Sequence, residues 1–479
     1  MDTRQADVAV IGAGTAGLTA FHAAREAGAD TVLIEGGVYG TTCARVGCMP
    51  SKLLIAAADA AHAVGRAPGF GIHTDGALRI DGHEVMGRVR RERDRFIDFV
   101  LRDIEEIGES HRLYGPARFA GDHELVIGER TALTAKSIVV ATGAVATRPE
   151  AFRTLGDRLI TSDDVFDWHH LPAAVAVVGP GIVGLELGQA LHRLGVRVVV
   201  YGHGGRVGPI GDPQVAAYAL ATFREEFPLE PDANLGPMER HGERVAIRRA
   251  GRPGPGDAEY FDYVLAATGR VPNLERLDLA KTTLSLDAKG VPAYDPATTR
   301  AINLRGDSAI FLAGDADNHI PLLHEALDEG RIAGTNAARL ARGDAIEAGH
   351  RRAPMAVVFT DPQIAIVGGG FRRLKAGTFV TGRASFEDQG RARILLRNSG
   401  LLHVYADLDS GRFLGAEMLA PDAEHLAHLL AWALQNQMTI AQMLAMPFYH
   451  PVIEEGVRTA LHDAKAKLRA AHAPLGKAA

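Results

Sequence analysis

Asp7-Val-Ala-Val-Ile11, Gly12-Ala-Gly14-Thr-Ala-Gly17, Leu18 to Ala27 and Thr31-Val-Leu-Ile-Glu35 read in turn as strand, glycine turn, helix and strand. Asp7 to Ile11 is a short, nearly unbroken apolar run, the pattern of a buried strand, and Leu18 to Ala27 is Ala-rich and helical in composition. Between them the glycines stand at G-x-G-x-x-G spacing, and Glu35 ends the second strand 18 residues after Gly17. Glycines so placed let the backbone approach a pyrophosphate at the helix N-terminus. An acid after the second strand accepts hydrogen bonds from ribose hydroxyls. The stretch predicts a dinucleotide-binding unit built on a parallel sheet.

The pattern recurs. Val175-Ala-Val-Val178 precedes Gly179-Pro-Gly181-Ile-Val-Gly184, with a helix predicted over Leu185 to Leu194 and a strand over Val196 to Tyr201. Each copy later carries a strand ending in Ala-Thr-Gly, Ile138 to Thr142-Gly143 and Val264 to Thr268-Gly269. The first copy is longer, and the excess fits a helical excursion from Cys43 to about Gly108. In the second copy the place of Glu35 is taken by Gly202, with His203 and Arg206 close behind. Without an acid to repel a 2′-phosphate, NADP stays open beside NAD.

The chain has only two cysteines, both in Gly40-Thr-Thr-Cys43-Ala-Arg-Val-Gly-Cys48-Met-Pro-Ser-Lys52. They are a redox pair or half a metal site, and no second Cys or His pair stands at zinc spacing to complete four ligands. No metal is expected. Five residues of regular helix rise about 7.5 Å, more than the roughly 4.4–6.8 Å a disulfide spans between Cα atoms. A bond between Cys43 and Cys48 therefore requires a broken helix, and Gly47 is suited to the break.

Composition is that of a globular protein, 47% apolar and 23% charged, and the length suits about three domains. Net charge is 52 − 58 = −6, which with no concentrated basic stripe argues against nucleic acid. Arg88 to Arg93 is interleaved with acids and reads as a solvated helix face. No run of about 18 apolar residues is present, so no membrane span is expected. A predicted strand close to the N-terminus leaves no room for a signal peptide, so a cytoplasmic location is expected. There a cysteine pair is more often catalytic than structural.

With these motifs in view, the chain resembles the class I pyridine nucleotide–disulfide oxidoreductases, the dihydrolipoyl dehydrogenases most of all. The carriers are the first glycine motif, Cys43 to Lys52, both Ala-Thr-Gly strands, Ala313-Gly-Asp315-Ala316, and Tyr449-His450-Pro451-Val-Ile-Glu454-Glu455. The resemblance implies two Rossmann-like domains, for FAD and then NAD(P), followed by a C-terminal α+β dimerisation domain. The implied FAD set is Gly12, Gly14, Gly17, Glu35, Thr42, Lys52, Ala117, Thr142, Gly143, Asp315 and Leu323. The second unit contributes Gly179, Gly181, Gly184, Glu186, His203 and Gly269. Lys52 is implied to sit near the flavin, paired with Glu186. Cys48 would face the flavin and Cys43 the substrate. His450, delivered by the partner of a homodimer, would take the thiol proton, and Glu455 would orient it. Phe448 and Tyr449 replace smaller residues common in the family and are expected to enlarge the side chains at the substrate mouth.

Expected boundaries are 1–148 for FAD, 149–268 for NAD(P), 269–345 for a central domain completing the FAD site, and 346–479 for the interface. A polar link is read at Arg342 to Pro354. A helix is read over Leu323–Ala341 and an amphipathic one over Glu424 to Met438, with a frayed helix end after Leu461. The expected reaction is oxidation of dihydrolipoyl groups on a carrier protein with NAD⁺. The alternatives are an NADPH-driven reductase of a small disulfide such as glutathione disulfide and a flavin-bearing structural subunit of a multienzyme complex. Mercuric reductase and the large thioredoxin reductases are disfavoured, because both need a further C-terminal cysteine or selenocysteine centre.

Overall fold

The computed structural model describes residues 2–249 and 258–473. The chain forms two compact units: Met1–Pro50, Val89–Thr147 and Arg270–Arg352 make the first, and Ser51–Arg88, Arg148–Gly269 and Ala353–Ala479 the second.

In the first unit the strand Asp2–Ile11 lies between Thr31–Glu35 and Thr131–Val140, parallel to both, with Ile11 opposite Ile34 on one side and Val140 on the other. Arg112–Tyr114 extends the sheet beyond Thr31–Glu35. Val8, Ala9, Val10 and Ile11 are all buried, as a strand covered on both faces requires. On its other edge the ten-residue strand Thr131–Val140 serves two more neighbours. Its first half pairs antiparallel with Glu124–Ile127, itself paired to Ala117–Gly121, and its last three residues pair parallel with Ile310–Leu312. One face of the sheet is packed by the helices Thr15–Glu26 and Leu323–Ala341. The other is packed by Leu274, Leu277, Leu279 and Val291.

In the second unit the strands Ala174–Val178, Arg197–Tyr201, Tyr263–Ala266, Leu229–Glu230 and Leu159–Ile160 form a parallel sheet. A three-stranded antiparallel sheet, Leu235–His241, Arg244–Arg249 and Glu259–Phe261, packs on it. The C-terminal part is a five-stranded antiparallel sheet in the order Met355–Val358, Gln363–Gly368, Phe413–Ala420, Leu401–Asp407, Phe379–Ser385. Helices Ala423–Gln435 and Glu455–His472 cover one face.

Two expectations change. The chain after Leu461 is not a frayed end: helix Glu455–His472 continues, buries Ala464, and ties Lys467 to Thr381 O at 2.8 Å. Only residues 474–479 of that tail lie outside the described part. The link Arg342 to Pro354 has no regular structure, but it is anchored, with Arg351 and Arg352 reaching back to Glu329 and Asp328. Among the described residues no helix is long and apolar enough to cross a membrane, and no group of His, Cys, Asp and Glu is arranged to hold a metal ion.

Candidate active site

The two glycine turns have the same construction. A Cβ on Gly17 would fall 1.8 Å from Gly12 O, and one on Gly184 would fall 1.8 Å from Gly179 O. Only glycine lets helix and strand approach so closely. Gly14 and Gly181 face open space, with nothing within 4 Å of a built Cβ. Helices Thr15–Glu26 and Ile182–Arg193 start there without a side-chain cap, so their first N–H groups point into an open cradle, as a pyrophosphate requires.

Further features of the first unit fit a dinucleotide. Glu35 Oε2 accepts from Ala13 N and Oε1 from Gly37 N, each at 2.7 Å, and each oxygen keeps a second lone pair for a ribose hydroxyl. Thr142 Oγ1 is buried without a partner, and Gly143 beside it has φ +67° with open space where a side chain would be. Asp315 is half-buried, and burial pushes its carboxyl up against the opposing pull of Arg270. Thr42 and Ala117 stand at the first positions of helix Thr42–Val46 and strand Ala117–Gly121, exposed and buried respectively. Leu323, first in its helix, is exposed.

The cysteine segment is interrupted helix. Thr42–Val46 ends at Gly47, and a new helix, Cys48–Arg66, begins at once. A Cβ on Gly47 would lie 3.0 Å from Thr42 O and 3.2 Å from the Cys43 Cα, so the break folds the chain back on Cys43. Thr41 caps the short helix through Ala44 N at 3.1 Å, from a backbone φ of 55° that is uncommon outside glycine. Cys43 is half-buried and Cys48 exposed.

In the second unit, Lys52 Nζ lies 2.8 Å from Glu186 Oε2, with Glu186 nearly fully buried. The other oxygen of Glu186 accepts from Phe359 N at 2.9 Å. The Phe359 ring lies beneath the same ammonium, 4.6 Å from Nζ to centroid. Carboxylate, backbone and aromatic face thus fix one cation. Three residues along, Gln189 donates to Asp361 O at 2.9 Å and accepts from Asp361 N at 2.8 Å. Arg193 then reaches Asp361 O at 3.0 Å, Asp59 at 2.9 Å and Glu226 at 2.5 Å. Burial alone would raise the Asp361 carboxyl, but Arg397, Arg193 and Arg66 outweigh it and hold it below the ordinary value.

His450 Nδ1 lies 3.1 Å from both oxygens of Glu455, and Glu455 also accepts from Val452 N. The hydrogen bond from His450 holds the Glu455 carboxyl below its ordinary value. A proton kept on Nδ1 leaves Nε2 as the basic nitrogen. The imidazole is 81% exposed. Tyr449 is exposed as well, whereas Phe448 packs on the core, so of the two bulky residues expected at a substrate mouth only Tyr449 is presented.

At the end of strand Arg197–Tyr201, a Cβ on Gly202 would fall 2.6 Å from Pro180 Cγ and 2.8 Å from Pro231 O. No acid fits there. His203 and Arg206 are exposed in the loop that follows, and Asp232 accepts from Gly204 N at 2.9 Å. Gly269, after the last strand of this sheet, faces open space. Sequence reasoning missed Phe359, Gln189, Arg193 and Asp361, whose partners lie far along the chain and follow no local motif.

Residues 6–330 match the pyridine nucleotide-disulphide oxidoreductase family and residues 355–461 its dimerisation domain, which supports a homodimer. The chain is 28% identical to dihydrolipoyl dehydrogenase 2 of Haloarcula marismortui, over 98% of this chain and 97% of that one. It is 30% identical to a mercuric reductase of Shigella flexneri, over 95% of this chain and 80% of that one. In structure it is similar to LpdA from Mycobacterium tuberculosis, with a TM-score of 0.81 and 24% identity over 96% of this chain and 99% of that one. The chain therefore belongs to the pyridine nucleotide-disulphide oxidoreductases, flavin enzymes that use FAD and NAD(P).

Proposed function

We propose that the chain oxidises a dihydrolipoyl-type dithiol, with Cys43 and Cys48 as the redox pair and NAD⁺ as final acceptor. The observation that carries this reading is His450 held by Glu455, a base prepared for a thiol proton. Relatives named dihydrolipoyl dehydrogenase, matched over nearly their whole length, support it. FAD, bound at the first glycine turn, supplies two-electron transfer between the cysteine pair and the nicotinamide. Glu35, Thr142 and Asp315 would hold it, and Lys52, oriented by Glu186, would present a positive charge to it. Cys43 exchanges with substrate sulfur, and His450, from the partner subunit, accepts the proton that makes the substrate thiol a nucleophile. That attack forms a mixed disulfide with Cys43 and releases Cys48 as a thiolate. The second substrate thiol then displaces Cys43, which leaves the substrate as a disulfide and both cysteines reduced, and the two electrons would pass on through FAD to NAD⁺.

One observation favours a second reading. Gly202 is walled in by Pro180 and Pro231, so the ribose corner offers His203 and Arg206 in place of an acid, a setting that suits NADPH and the reduction of a small disulfide.

The test is kcat/KM with NAD⁺ and NADP⁺ against dihydrolipoamide, and with NADH and NADPH against glutathione disulfide. Dihydrolipoamide with NAD⁺ is expected to dominate. Dominance of NADPH with glutathione disulfide would install the second reading, and no turnover of either sulfur substrate would sink both.

A further inference from the structure

Behind the loop that carries Asp315, two carboxyl groups are buried at one guanidinium and a third faces one of them. Glu329 is 0% exposed, and Asp317 and Glu325 are buried too. Arg351 Nη1 donates to Glu329 Oε1 at 2.9 Å and lies 3.5 Å from Glu325 Oε2. The next cation, Arg352, is committed to Asp328. His324 Nε2 is 3.8 Å from Glu325. Asp317 faces the Glu329 carboxyl and the Tyr294 hydroxyl, with Asp315 and then Arg270 beyond it. Asp317 Oδ2 is buried with no hydrogen-bond partner among the described residues.

Two carboxylates on one guanidinium with a third facing them are not sustained away from water, since like charges and lost hydration both favour the protonated form. Burial first, and Asp317 second, push the Glu329 carboxyl up to about 8 against the pull of Arg351. A proton on Glu329 also supplies a donor to Asp317, beside the Tyr294 hydroxyl that faces it.

Glu329 touches the loop directly as well. Gly314 N–H donates to Glu329 Oε2 at 2.8 Å, and Asp317 ends the same turn, Gly314–Asp317. Both ends of the turn that presents Asp315 thus depend on one carboxyl. We propose that Glu329 is a positioning residue for FAD that works as a neutral acid, sharing one proton with Asp317, and that loss of this proton releases the Gly314–Asp317 turn. The proposal rests on the reading that Asp315 holds FAD. On ionisation, the hydrogen bond from Glu329 to Asp317 becomes two facing carboxylates, and Arg351 cannot neutralise both while serving Glu325.

The test follows FAD release from the holoenzyme by the fluorescence of freed flavin, from pH 6 to pH 10, with folding checked by circular dichroism. The wild type is expected to hold FAD steadily below about pH 8 and to weaken by up to about tenfold per pH unit above it, as one-proton linkage requires. Glu329→Gln keeps the neutral shape, so it should retain FAD at pH 7 within about twofold and lose the alkaline rise. Glu329→Ala should release FAD at pH 7. Melting temperature should also fall as pH rises from about 4.5 towards 8, because the unfolded chain gives up this proton first, and Glu329→Gln should flatten that slope. FAD release by Glu329→Gln at pH 7, or an alkaline rise unchanged in it, would overturn the proposal. Unchanged FAD retention in Asp315→Asn would instead overturn the reading of the loop on which it rests.

Discussion

His450 owes its readiness to where one proton is kept. Glu455 accepts from Nδ1 through both oxygens, so the ring is oriented and Nε2 is the nitrogen left to accept a proton. Replacing His450 by Ala should lower kcat for dithiol oxidation about 10²–10⁴-fold, the usual worth of a general base. Glu455→Gln should cost less and shift the acid limb of the kcat profile, because the ring stays in place without its carboxylate. Near-normal turnover of His450→Ala would remove it from the reaction. The spacing of His450 and Glu455 was legible because His450 lies on the short turn that leads into the helix Glu455 begins. The reason for Gly202 was not legible: the residue is visible in the sequence, but Pro231, which closes the space, stands in the turn after strand Leu229–Glu230 and enters only through tertiary packing.

Among elements, the helix Ile182–Arg193 does the most joining. Its residues Glu186, Gln189 and Arg193 repeat at three- and four-residue spacing on one face and bind Lys52, the backbone of Phe359 and Asp361, and Asp59. Arg193 is almost wholly buried among Glu226 and Asp361. Arg193→Met leaves the half-buried Glu226 without its cation and Asp361 with Arg397 and Arg66 alone, and should destabilise the fold by about 3 kcal/mol. Asp59 is half exposed, and Asp59→Asn should cost under about 1 kcal/mol. Thermal unfolding of the two variants checks the contrast, and equal melting temperatures would show that the ladder carries no stability. The strands and helices of the glycine motifs were legible because their signals are local. The ladder was not, since Lys52 and Glu186 stand 134 positions apart and Arg193 and Asp361 stand 168 apart.

For the whole molecule, the helix Ala423–Gln435 is instructive. Leu426, Ala427 and Leu430 are buried, while Leu429 and Trp432 are exposed, Trp432 at 72%. This face lies inside the matched dimerisation domain, and its aromatic anchor is typical of interface hot spots. Trp432→Glu should move the protein toward monomer in sedimentation velocity. It should also lower activity in step, because His450 would no longer be delivered to a neighbouring copy. A fully active monomer would contradict a site shared between subunits. The pairing of Ile310–Leu312 with Ile138–Val140 also sets an order in time. As the chain leaves the ribosome, the first glycine turn appears at once, yet the last strand of its sheet and the turn with Asp315 follow some 300 residues later. The sheet of the first unit therefore stays open until Leu312 has been made, after every strand of the parallel sheet within residues 159–266 has emerged. A ligand that needs both the first glycine turn and the Asp315 turn can be held only after that point in synthesis.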